Sequence, residues 1–415
     1  MNNNSVVIVG AGQAGMQIAT TLRDEGFTAP ITLIGGEQQG PYQRPPLSKA
    51  YLAGEADEES LQLRTSEFFR DHDIDVVTGE RIVDIRTTDS GAVAEGEGGT
   101  EYPFDQLAIT TGASARHLDV EGSNLPGVFT LRSQADADAL KSLWEGLTNI
   151  VVVGAGFIGL EAAAVAAKAG KNVTLIHAGD RLMSRSVAPE MSEFYADAHR
   201  KRGVDIRFHS SVARFHSQDG HLSGVELTSG EILPAEAAVV GIGVTRDFAA
   251  FQSLGLTLDN GAIVVDEFGR TSHPGVVAAG DAVVTAHPAA MGQLVCLESV
   301  QNAIDQATVA AHTLMGNLQP YESVPRFWSD QADLKLQMAG LLTGYDSHVV
   351  RGDLSAESFS ILFYRDNHLI AIHSVNDASS HMAGRRALSA GDTIDPNRAA
   401  DLSVALKTLI EPTKG

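Results

Sequence analysis

The pattern Gly-x-Gly-x-x-Gly occurs twice in this 415-residue chain, as Gly10-Ala11-Gly12-Gln13-Ala14-Gly15 and as Gly154-Ala155-Gly156-Phe157-Ile158-Gly159. Its chemistry is that of a phosphate cradle. The first glycine permits a tight turn, the second lets the backbone approach a pyrophosphate, and the third lets a helix pack on a strand. The helix that follows offers free N–H groups and a positive dipole end to the phosphates. The flanking residues give the pattern its meaning. Val6-Val7-Ile8-Val9 runs into the first turn, residues 16–25 are amphipathic, and Ile31-Thr32-Leu33-Ile34 follows. Ile150-Val151-Val152-Val153 runs into the second, residues 160–169 are rich in alanine, Gly170 ends that run, and residues 172–176 read as the next strand. Two such units predict two dinucleotides on two related domains. A bound flavin on one and a passing nicotinamide on the other is the economical reading.

Charged residues near these turns are the candidates for chemistry. Glu37 lies at about the spacing beyond Gly15, some 20 residues, at which an acid accepts hydrogen bonds from an adenosine ribose. Two glycines precede it, and a solvated loop carboxylate is the alternative. Lys49 closes Pro41-Tyr42-Gln43-Arg44-Pro45-Pro46-Leu47-Ser48-Lys49, a loop stiffened by three prolines. A lysine held there either stabilises an anionic reduced flavin or is an exposed loop cation, and Ser48 is expected to cap a helix through Tyr51. Glu161 follows Gly159-Leu160 on the second motif helix. It either complements the helix dipole or points at a nicotinamide. The position that normally carries the ribose-binding acid of this second unit is His177, with Asp180, Arg181 and Arg185 close by. Basic residues accept a 2′-phosphate that an acid repels, whereas a neutral imidazole contacts a ribose hydroxyl or faces solvent.

The remaining elements position these residues. Residues 66–71 read as a short helix, 75–78 and 106–110 as strands, with a hairpin around Ser90-Gly91 and Glu97-Gly98-Gly99. Thr110-Thr111-Gly112 ends a strand in a glycine, which allows close approach to a ligand. Ala238-Val239-Val240-Gly241-Ile242-Gly243 is the last strand of the second unit. Gly275-Val276-Val277-Ala278-Ala279-Gly280-Asp281 then returns to the first, and Asp281 is expected to accept hydrogen bonds from ribityl hydroxyls. A helix over 299–315 aims its N-terminus at the flavin pyrimidine. Residues 319–415 form a third unit of alternating strands such as 334–339 and 359–364. The fold class is therefore α/β, with two Rossmann-like domains and a C-terminal α+β domain.

Composition narrows the function further. Hydrophobic residues make up 43% and glycines number 41, which suits large cores and many tight turns. No apolar run reaches the about 18 residues of a membrane span. Met1-Asn2-Asn3-Asn4 lacks basic residues, so no signal peptide is expected and a cytoplasmic protein is the default. The net charge of −22 argues against nucleic acid and anionic membranes as partners. The single cysteine, Cys296, excludes an internal disulfide and any relay through a cysteine pair. Set in an apolar run, it reads as a buried inert thiol. No metal site is expected.

These motifs, with Glu298-Ser299-Val300-Gln301-Asn302-Ala303 and Phe327-Trp328-Ser329-Asp330-Gln331, resemble the oxygenase-coupled, NADH-dependent ferredoxin reductases over essentially the whole chain. PPLSK and FWSDQ are far more specific than the glycine turns. The resemblance implies a glutathione-reductase-like architecture: an FAD-binding domain from 1–113 and 244–318, an NAD-binding domain over 114–243, and a C-terminal domain over 319–415. It implies one FAD, NADH as donor, and a [2Fe-2S] ferredoxin that serves a cytochrome P450 or a ring-hydroxylating dioxygenase. By the motif match Ala14, Arg44, Lys49, Ile82, Arg132, Asp281 and Val300 would contact FAD. Lys49 and Glu161 would flank the flavin and nicotinamide rings, and Trp328 would lie near the flavin on the ferredoxin side. Ile158, His177, Arg185 and Gly243 would line the NAD site. Three departures stand out. His177 replaces an acid, so NADPH is possible; Gly36 replaces an aspartate; Cys296 replaces an arginine. Two competing expectations share the fold: an NAD(P)H oxidase or quinone reductase, and an apoptosis-inducing-factor-like interaction protein. The second would carry targeting segments and a basic surface, and neither is visible here.

Overall fold

Short runs of β-branched residues, buried on both faces, build two parallel sheets with one strand order. The computed structural model describes residues 4–88 and 91–412; Met1–Asn3 and the turn expected at Ser90 lie outside the described residues. The first sheet runs Val276–Ala278, Gln106–Ile109, Val6–Val9, Ile31–Gly35, Ile74–Thr78, every neighbour parallel. The second runs Val128–Phe129, Ala237–Val240, Asn149–Val153, Asn172–Ile176, Val204–Arg207, again all parallel. Val6–Val9 and Ala237–Val240 are buried at every position, as strands covered on both faces must be. In each sheet a glycine turn leaves a central strand and opens a helix, Gln13–Asp24 in the first and Phe157–Lys168 in the second.

The helix Val300–Leu314 packs against Gln13–Asp24 and is capped by Ser299, whose hydroxyl accepts from the Asn302 N–H at 3.1 Å. The chain crosses between the two parallel sheets through Ser114–Ala115 and Val244–Thr245, which pair antiparallel. Ser48 does not cap a helix as expected. Pro45–Ser48 is a single tight turn, residues 49–54 continue as turns, and the Ser48 hydroxyl is used elsewhere.

The C-terminal unit is a five-stranded antiparallel sheet, Arg326–Gln331, Leu334–Gly340, His368–Val375, Ser358–Arg365, Ser347–Asp353. The helix Ala378–Ala390 covers one face. The pleat of the first strand divides its side chains between two surroundings. Ser329 and Gln331 are fully buried, Asp330 between them is half-buried, and Trp328 stands outward. Among the described residues no helix is long and apolar enough to cross a membrane, and no group of three or more His, Cys, Asp or Glu could hold a metal ion.

Candidate active site

Both glycine turns open into one cavity of 1930 Å³. A site for one drug-sized ligand occupies about 300–1,000 Å³, so this space suits two large ligands. The glycines divide their work. A Cβ at Gly10, where φ is +114°, would stand 2.2 Å from the Thr110 carbonyl oxygen; at Gly154, where φ is +106°, it would stand 2.2 Å from that of Gly241. At Gly15 and Gly159 it would meet the Gly10 and Gly154 carbonyl oxygens at 2.0 and 2.4 Å. Those two glycines stand behind the lining and bring helix and strand together. At Gly12 and Gly156 nothing lies within 4 Å, and both line the cavity. Bare backbone thus faces the cavity where a pyrophosphate would lie, and the residues present fit a dinucleotide at each turn.

Between the two cradles lies a buried charge pair. Glu161 is 2% exposed. Its Oε2 accepts from the Lys49 ammonium at 2.7 Å and from the Ser48 hydroxyl at 2.5 Å, and its Oε1 accepts from the Ser329 hydroxyl at 2.6 Å. Lys49 also donates to the Pro45 carbonyl at 3.0 Å. Three side chains from two distant segments, Ser48-Lys49 and Ser329, hold this carboxylate, so its place in the helix does not explain it and the helix-dipole alternative falls away. Lys49 is not a free loop cation: 17% of its side chain is exposed. Phe157 and Phe327 pack ring against ring, 4.4 Å apart, at the cavity wall.

The first cradle is ringed by linked polar groups. Glu37 pairs with Arg44 at 2.5 Å and accepts from the Tyr42 hydroxyl at 2.6 Å. Arg44 also donates to Tyr42 and to the Arg132 carbonyl, each at 2.9 Å. Arg132 reaches Asp281 at 2.9 Å and the Ala113 carbonyl at 2.9 Å. Burial pushes the Tyr42 phenol well above its usual range, so it stays protonated and donates. Sequence reasoning did not assign Tyr42, and a tyrosine in a proline-rich loop carries no local sign of this role. Ala14, Ile82, Val300 and Trp328 line the same cavity. Arg246, also unassigned, donates to the Asp281 carbonyl at 2.5 Å, to Cys296 Sγ at 2.9 Å and to Glu298 at 2.6 Å. Cys296 is half-buried rather than buried. Desolvation pushes its thiol up to about 11 in spite of Arg246, which leaves it protonated and unreactive.

On the second cradle Ile158, Gly243, Arg185 and His177 line the cavity, and Arg185 Nη2 comes 3.7 Å from where a Gly243 Cβ would be. Arg181 does not join them. Its guanidinium donates to the Val187 and Ser184 carbonyls and the Ser192 hydroxyl at 2.6–3.0 Å, so it shapes the loop and leaves only His177 and Arg185 for a 2′-phosphate. Burial lowers the His177 pKa, with His209 adding to this and Asp180 opposing it. At neutral pH the imidazole is therefore uncharged. Replacing it by glutamate, His177→Glu, should raise the ratio of kcat/KM for NADH over NADPH about tenfold, since like charges about 4 Å apart near a surface repel by roughly 1–4 kcal/mol. Steady-state kinetics with both coenzymes read this directly, and an unchanged ratio would remove His177 from coenzyme selection.

Comparison with known proteins matches residues 4–312 to the pyridine nucleotide-disulphide oxidoreductase family and residues 326–410 to the reductase C-terminal family. The chain is 45% identical over 406 residues to rhodocoxin reductase of Rhodococcus erythropolis, covering 98% of this chain and 94% of that one. Its fold superposes with a TM-score of 0.93 on the ferredoxin reductase for the CYP199A2 system of Rhodopseudomonas palustris, at 39% identity over 98% of this chain and 99% of the other. It superposes with a TM-score of 0.92 on putidaredoxin reductase in its covalent complex with putidaredoxin, at 34% identity over 98% of each chain. The two cradles, the shared cavity and these full-length likenesses lead to one conclusion: the chain belongs to the pyridine nucleotide-disulphide oxidoreductase family, among its ferredoxin reductases, which use FAD and a nicotinamide dinucleotide.

Proposed function

We propose that this protein passes electrons from NADH through FAD to a [2Fe-2S] ferredoxin that serves a cytochrome P450 or a ring-hydroxylating dioxygenase. The observation that carries this reading is the Lys49–Glu161 pair, buried between two dinucleotide cradles in one cavity. When bound, FAD takes up the two electrons of NADH together and releases them singly, which is chemistry the cofactor supplies. The protein supplies position. Glu161 would orient the nicotinamide, and Lys49, tied to Pro45 and Glu161, would offer positive charge to the negative charge of a reduced flavin. Glu37, Arg44, Arg132 and Asp281 hold the ribose, pyrophosphate and ribityl groups of FAD. With one cysteine in the chain, no internal disulfide can relay electrons, so bound FAD would have to supply them to the acceptor directly.

The exit is on the Trp328 side. Trp328 is 39% exposed and lines both the main cavity and a smaller one of 440 Å³ that it shares with Lys49 and Val300. Net charge does not bring an acidic ferredoxin to a chain of −22; a local patch does. Arg326 and Arg385 both act on the buried His381, whose pKa falls to about 4, mainly through desolvation. Among the described residues neither arginine enters an ion pair. Arg326→Glu should lower kcat/KM for ferredoxin roughly tenfold, because rim charges set on-rate and orientation. Added salt should slow the same step, since exposed charges are screened within about 10 Å, while flavin reduction by NADH stays unchanged. If neither salt nor the charge reversal touches the ferredoxin step, docking lies elsewhere.

We further propose domain boundaries at 113/114, 243/244 and 318/319, supported by the side-by-side pairing of the crossings at Ser114–Ala115 and Val244–Thr245. The cytoplasm is the compartment that suits a chain with no cysteine pair. The test of the activity is NADH-dependent reduction of cytochrome c with and without an added [2Fe-2S] ferredoxin. A large stimulation by ferredoxin is expected. Equal rates without it, with oxygen consumed, would favour the oxidase alternative.

A further inference from the structure

Glu161 is the near end of a longer chain of hydrogen bonds. The Ser329 hydroxyl donates to Glu161 Oε1 at 2.6 Å. Gln331 Nε2 donates to Ser329 Oγ at 3.2 Å. His199 Nε2 lies 2.8 Å from Gln331 Oε1, and an amide oxygen only accepts, so this ring nitrogen carries the hydrogen. Every link therefore donates toward the carboxylate. Ser329, Gln331 and His199 are each buried to within 2% of complete. At the far end His199 Nδ1 is buried with no hydrogen-bond partner, and burial keeps the ring neutral. The chain thus stops in the core and leads no proton to water. A path that ends blind has a mechanical use. Met183 closes its side with Sδ 3.8 Å from Gln331 Nε2. Its own backbone is held in the left-handed region, at φ +48°, a strain that native structures keep where surroundings enforce it.

We propose that Ser329, backed by Gln331 and His199, is a positioning residue that fixes the Glu161 carboxylate for hydride transfer from the nicotinamide. It does so from a strand of the C-terminal sheet and from the helix Pro189–Lys201, so the third domain helps set the geometry of a site whose ligands lie on the other two. The proposal rests on the reading of Glu161 given above, and its test separates the two. Oriented groups lose rate steeply when they loosen.

The test uses the FAD-loaded protein. In anaerobic stopped flow at saturating NADH, Ser329→Ala should reduce the flavin about tenfold more slowly, while Ser329→Thr, which keeps the hydroxyl, recovers most of the rate. Gln331→Met should give a smaller loss, about threefold, and serves if the alanine variant folds poorly. In a Glu161→Gln background Ser329→Ala should add nothing, because its effect passes through the carboxylate. A readout without turnover accompanies this. The carboxylate stretch of Glu161, found by infrared difference between wild type and Glu161→Gln in the oxidised protein, should shift in Ser329→Ala and return in Ser329→Thr. A wild-type rate and an unshifted band in Ser329→Ala, or an equal loss in both backgrounds, would overturn the positioning role. A wild-type rate in Glu161→Gln alone would instead overturn the reading of Glu161 beneath it.

Discussion

Glu161→Gln should slow reduction of the bound flavin by NADH about a hundredfold and leave electron exit to ferredoxin nearly unchanged. Three donors converge on this carboxylate: Lys49, Ser48 and Ser329. A glutamine keeps the volume but presents one accepting oxygen and a donating amide. The amide nitrogen must then face one of the three donors, a serine hydroxyl there has to turn and accept instead of donating, and the Lys49 ammonium loses its counter-charge. A misplacement of about 1 Å in a positioned group costs on the order of a hundredfold in rate, which sets the expected size. Glutamine is preferred to alanine because it fills the same volume and keeps one accepting oxygen, so neither a cavity nor the loss of every acceptor blurs the kinetics. Stopped-flow traces of the two half-reactions separate entry from exit. Equal slowing of both would mean that Glu161 supports the fold or the flavin as a whole.

Gly12→Val and Gly15→Val should fail in different ways, although the two glycines belong to one motif. A Cβ at Gly12 meets nothing within 4 Å, and the backbone there, at φ −87°, is one that any residue adopts. A valine side chain would occupy the cavity itself. The expected product is a folded, colourless protein with a native circular dichroism spectrum that retains no FAD at micromolar concentration. At Gly15 a Cβ would lie 2.0 Å from the Gly10 carbonyl, so helix and strand must part, and the expected product is insoluble or unfolded. Absorbance near 450 nm together with circular dichroism distinguishes the outcomes. A yellow Gly12→Val protein would place the pyrophosphate elsewhere.

The contrast between these glycines also marks what a sequence shows. Positions whose meaning is local were legible: the two turns, the helices behind them, and the parallel strands of β-branched residues. The helix over 299–315 was found to within a residue at each end, since Ser299 caps it and its periodicity is plain. Residues whose meaning depends on distant partners were not. Glu161 stayed open between two readings because Ser329, 168 positions away, decides between them. Arg181 looked available for a 2′-phosphate because nothing in its neighbourhood announces that two carbonyls of the loop after it and the Ser192 hydroxyl of the next helix would take its hydrogen bonds. Ser48 looked like a helix cap because serine is among the residues that favour that position. His199 sits in the last turn of its helix beside Arg200 and Lys201, where it reads as one more basic residue at a helix end, and only the fold brings it to Gln331.

The central claim is that electrons enter as a pair from NADH and leave singly to a [2Fe-2S] ferredoxin. Its most direct test is a single anaerobic turnover of the FAD-loaded protein with one equivalent of NADH and excess ferredoxin, drawn from a panel that includes putidaredoxin, while visible spectra follow both centres. The account predicts that one NADH reduces two ferredoxins and that the flavin returns to its oxidised state. A flavin that stays fully reduced beside oxidised ferredoxin, across the whole panel, would contradict it.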